Sequence, residues 1–214
     1  MSNKGKKWTI ALIAVLLLVI DQVIKIVVKL NMTIGESIPM FGNSSWAQIL
    51  FIENNGMAFG MQLGGLGGKL LLSIFRIVLC GLIIWYINKL IVKYKAGWGA
   101  LIGITMILVG AIGNIFDSIF YGLIFSESTT TAVAQLVPFG TGYASVLCGR
   151  VVDMFYFPII KTTLPSWVPI WGGNYFEFFA PVFNFADSCI TCSVIYLLLF
   201  QRKFFARIHK QEKK

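Results

Sequence analysis

The sequence predicts an integral membrane protein, mainly α-helical, that crosses the bilayer four times. Only 13% of its 214 residues are charged while 57% are hydrophobic, and the mean hydropathy is +0.79; a soluble domain of this size needs far more polar surface. Four apolar runs, at about 8–30, 70–92, 98–122 and 183–204, are each long enough to cross a hydrocarbon core of about 30 Å. Basic residues gather beside those runs: Lys4, Lys6 and Lys7 before the first, Lys89, Lys93 and Lys95 between the second and third, and Arg202, Lys203, Arg207, Lys210, Lys213 and Lys214 after the last. By the positive-inside rule those segments and both termini are cytoplasmic, which makes 31–69 and 123–182 external. The net charge of +9 is then a topology signal that also meets anionic lipid, and it argues for no nucleic-acid partner. Residues 1–214 read as a single membrane domain.

The first run begins after a basic stretch, as a secretory signal does, but Asp21-Gln22 follows it where small residues would mark a cleavage site, so an uncleaved span is expected. Asp21 and Lys25 are spaced i, i+4 and share a helix face, where each neutralises the other. Within 31–69, Trp46 to Glu53 carries the β-prone Ile49, Phe51 and Ile52 and predicts a strand. It leads into Asn54-Asn55-Gly56-Met57-Ala58-Phe59-Gly60, and Gly64 to Gly68 then reads as a flexible return to the membrane.

The second span carries Arg76 near its outer end, where an arginine reaches the interface with its long stem. The short turn at 93–97 makes the second and third spans antiparallel neighbours. In the third, Gly103 and Gly110 lie on one face at heptad spacing and admit a close helix neighbour. Asn114 and Asp117 form a polar patch at its far end, either a helix cap or part of a site. The segment 122–181 holds five of the six prolines and begins with a loop or interfacial flap, while Trp167, Trp171, Tyr175 and Phe176 suit the headgroup level. The four cysteines, Cys80, Cys148, Cys189 and Cys192, read as small buried apolar residues. Cys189 and Cys192 have no second pair to complete a metal site, and His209 is the only histidine. No metal and no cofactor are expected.

Two acidic residues stand out for their apolar settings: Asp153 in Val151-Val152-Asp153-Met154-Phe155, and Asp187 three residues after Asn184 at the mouth of the last span. A carboxylate withdrawn from water costs several kcal/mol unless it is paired, shares a proton or lines a wet cavity. If the two meet, both cannot ionise at short range, and one becomes an acid and the other a base for work on a water molecule. A rival reading makes Asp21, Asp117, Asp153 and Asp187 a proton or cation relay, although no inverted repeat accompanies them. A third makes the polar patches mere helix glue in a non-catalytic assembly factor.

Five motifs occur in order: Asp21-Gln22-x-x-Lys25, Asn54-x-Gly56-x-Ala58-Phe59, Gly110-x-x-Gly113-Asn114-x-x-Asp117, Val151-Val152-Asp153-Met154-Phe155 and Phe183-Asn184-x-Ala186-Asp187-Ser188. In that order they resemble the signal peptidase II, or lipoprotein signal peptidase, family over nearly the whole chain. The resemblance implies a four-helix intramembrane aspartyl protease of the bacterial inner membrane, with a small extracytoplasmic β-rich cradle and a helical flap drawn largely from 35–60. Such an enzyme acts as a monomer among membrane lipids. It removes the signal peptide from prolipoproteins whose Cys has been diacylglycerylated, cutting on the N-terminal side of that Cys. Carried over, Asp153 and Asp187 are the catalytic pair, Asn54, Asn114 and Asn184 line the site, and Asp21, Lys25, Gly56 and Asp117 support it. The family usually has Arg after the residue matching Asp117. Here that residue is Ser118, with Arg150 or Arg76 as candidates to supply the missing charge. The links 123–150 and 156–180 are also longer than the family's.

Overall fold

The structure is a computed structural model that describes residues 2–54 and 65–213. Helix α1 (Asn3–Asn31) starts earlier than the apolar run because Ser2 caps it, accepting from the Gly5 N–H at 3.1 Å. Helices α2 (Gly65–Val92) and α3 (Trp98–Phe116) follow. α3 widens into a π-helical turn at Asp117–Tyr121 and ends in the short α4 (Gly122–Ile124). The last span starts at α5 (Phe185–Tyr196), passes a second π-helical turn at Leu197–Gln201 and continues as α6 (Arg202–Glu212), beyond the expected end near 204.

Four helices among the described residues are long and apolar enough to cross a membrane: Asn3–Asn31, Gly67–Val92, Trp98–Ile124 and Phe185–Glu212. The third is central, with 56% of its most apolar stretch buried against 17% in each of the others. Its glycines make that position possible. A Cβ on Gly103 would stand 2.6 Å from Leu197 Cδ2, and one on Gly110 would strike the Ala186 carbonyl and Ile190, so the last span packs onto α3 with no side chain between. The outward faces of α1 and α2 present Leu12, Val15, Leu16, Val19, Leu71, Phe75, Val78 and Leu82, exposed apolar surface that suits lipid and not water.

One end of the bundle gathers the basic segments. Lys6 donates to the Ala96 carbonyl at 2.9 Å, and Lys89 pairs with Glu212 at 2.6 Å, so the N-terminal helix, the α2–α3 turn and the C-terminal helix meet there. A three-stranded antiparallel sheet of β1 (Ser37–Pro39), β2 (Gln48–Asn54) and β3 (Val151–Tyr156), in the order β1-β2-β3, adjoins the other ends. The expected strand at 46–53 is therefore β2, shifted by two residues at its start. That Asp153 stands inside a strand was not anticipated, because its alternation is hidden in a run buried on both faces.

The link 123–150 is a loop, as expected, but a fastened one. Phe125 bridges Leu136, and the Gly149 N–H donates to the Ser118 carbonyl at 2.9 Å. The link 156–180 contains an unforeseen hairpin, β4 (Ile160–Thr163) and β5 (Tyr175–Phe178). Residues 32–54 include two cradle strands and no helix, while Gly56 and the rest of the expected flap lie outside the described residues. The expectation of four buried cysteines holds for Cys80 and Cys189. Cys192 is exposed on the outward side of α5 and Cys148 is partly so, each as a free thiol.

Candidate active site

Asp153 and Asp187 are far apart in sequence, and one backbone contact brings them together. Phe183, two residues before α5, forms an antiparallel bridge with Phe155 of β3: its N–H donates to the Phe155 carbonyl at 3.0 Å, and the Phe155 N–H donates back at 2.7 Å. The first turn of α5 is thereby laid beside the strand that carries Asp153.

Asn184 then acts on both acids. It caps α5, accepting from the Asp187 N–H at 2.9 Å, and Asp187 Oδ2 accepts from the Asn184 N–H at 3.3 Å, a reciprocal capping box. The Asn184 side-chain amide donates to Asp153 Oδ1 at 2.7 Å and to Asn114 Oδ1 at 3.1 Å. Asn114 in turn donates to Asp187 Oδ1 at 2.8 Å, and Asn54 donates to Asp153 Oδ2 at 3.3 Å. The three asparagines singled out from sequence thus hold the two carboxyls between them. Each amide offers donors to carboxyl oxygens that only accept when ionised, which fixes both orientations.

The two acids are not equivalent. Asp153 is only 5% exposed, whereas Asp187 is partly open. Burial, then the charge of Asp187, push the Asp153 carboxyl up to about 7, against the smaller downward pull of the Asn184 and Asn54 amides.

Beneath the pair lies a charged layer. Lys25 reaches Asp21 at 3.0 Å and Asp117 at 2.8 Å, all three side chains fully buried, and also donates to Asn114 Oδ1 at 2.9 Å. Asp21 Oδ1 accepts the Ala186 N–H at 2.9 Å, seating its charge at the positive end of α5. Gln22 donates to Asp117 at 3.0 Å and accepts from the Tyr121 hydroxyl at 3.0 Å. Asp117 is therefore no simple helix cap. Its partner cation is Lys25, which explains how a serine is accommodated next to it: Ser118 is buried, turns its hydroxyl to the Asn114 carbonyl, and is closed over by the backbone of Gly149.

Of the two arginines proposed to replace the missing charge, Arg76 is the one in electrostatic contact with Asp187. Arg150 instead binds Glu53 at 3.2 Å and Glu127 at 2.8 Å. Glu53 directly precedes Asn54, the residue that donates to Asp153. Sequence reasoning missed Glu53 and Lys29. Lys29, fully buried, pairs with Glu53, and Ser128 donates to Glu53 at 2.9 Å, tying α1 and the 123–150 loop to the end of β2. A signal was present, because Asp21, Lys25 and Lys29 recur at i, i+4 and i+8 within one apolar span. Among the described residues no group of His, Cys, Asp and Glu is arranged to hold a metal ion.

This build is that of a bacterial membrane enzyme. A solved structure described in those words, obtained by the in meso method at 1.9 Å resolution, superposes with a TM-score of 0.59 at 25% identity, covering 91% of this chain and 93% of its own. A second, at 2.3 Å resolution, shares the fold with a TM-score of 0.58 over 93% of this chain and 90% of its own at 24% identity. The family described as Signal peptidase (SPase) II matches residues 13–203, and the chain belongs to it. The lipoprotein signal peptidase of Porphyromonas gingivalis is 53% identical over 89% of this chain and 81% of its own length. That of Amoebophilus asiaticus is 39% identical over 92% and 79%.

Proposed function

We propose that the chain is an aspartic endopeptidase whose catalytic pair is Asp153 and Asp187. Membership of the signal peptidase II family makes it a protease that removes signal peptides from prolipoproteins. The observation that carries the aspartic reading is the shared hold of Asn184, which grips Asp153 with its side chain and Asp187 through the helix cap. With the Asp153 carboxyl pushed up to about 7, the pair retains one proton near neutral pH.

In this mechanism ionised Asp187 takes a proton from water as its oxygen bonds to the scissile carbonyl carbon. Protonated Asp153 hydrogen-bonds the carbonyl oxygen as charge develops there. When the tetrahedral intermediate breaks its C–N bond, a carboxyl proton passes to the leaving nitrogen, that of the diacylglyceryl-modified Cys, so cleavage falls on its N-terminal side. Asn114, Asn184 and Asn54 keep the carboxyls aimed, and the Asp21–Lys25–Asp117 layer keeps the asparagines in place. The basic end of the bundle supports a cytoplasmic assignment for both termini, which puts the acid pair at the outer face of the inner membrane. Acyl chains left in lipid, at about 0.8 kcal/mol per CH₂ relative to water, hold the substrate in the membrane beside the acid pair.

The test is to incubate purified protein in lipid vesicles with a prolipoprotein, either diacylglycerylated or unmodified at its Cys. Release of the signal peptide from the modified precursor alone is expected. Equal release from both would overturn the lipid requirement, and release from neither would overturn the activity.

A further inference from the structure

The β4–β5 hairpin stands clear of the bundle, with residues of both faces exposed and one of those faces apolar. Its register pairs Ile160 with Phe178 and Thr162 with Phe176 on one face, and Lys161 with Glu177 and Thr163 with Tyr175 on the other. The charged position contacts Tyr156 of β3: Glu177 accepts from the Tyr156 hydroxyl, and Lys161 sits 4.9 Å from the centre of the Tyr156 ring. The opposite face, with Ile160 and Phe178 each about half exposed, has no covering element among the described residues. Between Lys161 and Glu177 the chain carries no charge at all.

At the tip the pattern sharpens. Trp167, Ile170 and Trp171 are 79%, 93% and 63% exposed. The turn is well bonded, with the Gly172 N–H on the Val168 carbonyl and the Gly173 N–H on the Leu164 carbonyl. Ile170 adopts φ +69°, a left-handed conformation that β-branched residues avoid. A strained isoleucine held fully outward is a poor choice for a water-facing turn, where Asn or Gly would serve.

The hairpin's foot is fixed where the last span begins. Phe157 and Phe179 both pack on Phe183, with ring centres 5.8 and 6.0 Å away, and Phe183 lies two residues before α5. The uncovered apolar face is thus anchored at the end of a helix whose own outward side is lipid-facing.

The geometry points to an occupant: the outer leaflet of the membrane that α5 crosses, with Trp167, Ile170 and Trp171 inserted among the headgroups and upper acyl chains and the Ile160/Phe178 face laid against them. An uncharged, aromatic surface continuous with a transmembrane helix matches that environment. The anchor sets the depth of the nearby acid pair at the bilayer surface, and it holds independently of which residues perform the cleavage.

The test uses the full chain in vesicles of phosphatidylethanolamine and phosphatidylglycerol, with Cys80, Cys148, Cys189 and Cys192 replaced by Ala and an environment-sensitive fluorophore attached through I170C. W167C provides a second position, so that misfolding at one does not decide the outcome. A blue-shifted emission that is lost on adding nitroxide-bearing lipids, yet persists in iodide, is expected at both positions. Loss of emission to iodide with no response to the nitroxide lipids would overturn the proposal in favour of a hairpin in water. Protection from both quenchers would overturn it in favour of a face covered by a second copy of the chain.

Discussion

Raising the pH should switch this enzyme off through Asp153. Its carboxyl is pushed up to about 7, first by burial and then by the charge of Asp187, and the mechanism requires it protonated. With a pKa of about 7, the protonated fraction is about 0.9 at pH 6 and about 0.1 at pH 8, an order-of-magnitude loss of competent enzyme. Because kcat/KM reports the groups of the free enzyme, it should fall about tenfold across that interval. The same shift appears in stability, with a definite sign. The folded chain holds the Asp153 proton up to about pH 7 and the unfolded chain releases it near 3.8, so the associated stabilisation is complete below about pH 4 and is lost as pH rises towards 7. The gap between 3.8 and about 7 corresponds to about 4 kcal/mol. The assay is kcat/KM for signal-peptide release from a diacylglycerylated precursor, paired with thermal unfolding at each pH. A kcat/KM that is flat or rising from pH 6 to 8, in protein that remains folded, would refute the requirement for a protonated Asp153.

Other perturbations act on the supports. Asn184→Ala removes the α5 cap, at about 0.5–2 kcal/mol, and also removes a hydrogen bond that lowers the Asp153 pKa; residual activity should show its alkaline limb moved to higher pH. Lys25→Ala strands two fully buried carboxylates, Asp21 and Asp117, and should cost about 3–5 kcal/mol, read as a large fall in Tm or loss of folded protein from the membrane. Gly110→Ala drives a methyl group into the Ala186 carbonyl and Ile190 and should cost about 1–3 kcal/mol, with reduced cleavage because α5 carries Asp187.

The four spans were legible because a bilayer demands long apolar runs, and their basic flanks revealed which ends belong together. Asp153, Asp187, Asn114 and Asn184 were legible because polar groups in such runs need a reason to be there. The Asp21–Lys25 pair was readable from helical spacing, but its third member, Asp117, comes from another helix and only packing joins them. The strand around Asp153 escaped because a segment buried on both faces shows no alternation. The β4–β5 hairpin escaped because its apolar residues face outward, against the pattern by which strands are recognised. Glu53 and Lys29 form a pair whose partners are 24 residues apart, and no local periodicity marks that contact.

If Asp153 and Asp187 together perform the cleavage, neither purified Asp153→Asn nor purified Asp187→Asn protein can turn over a diacylglycerylated prolipoprotein. Both variants should release no signal peptide while remaining folded in the membrane. Substantial turnover by either one would contradict the account.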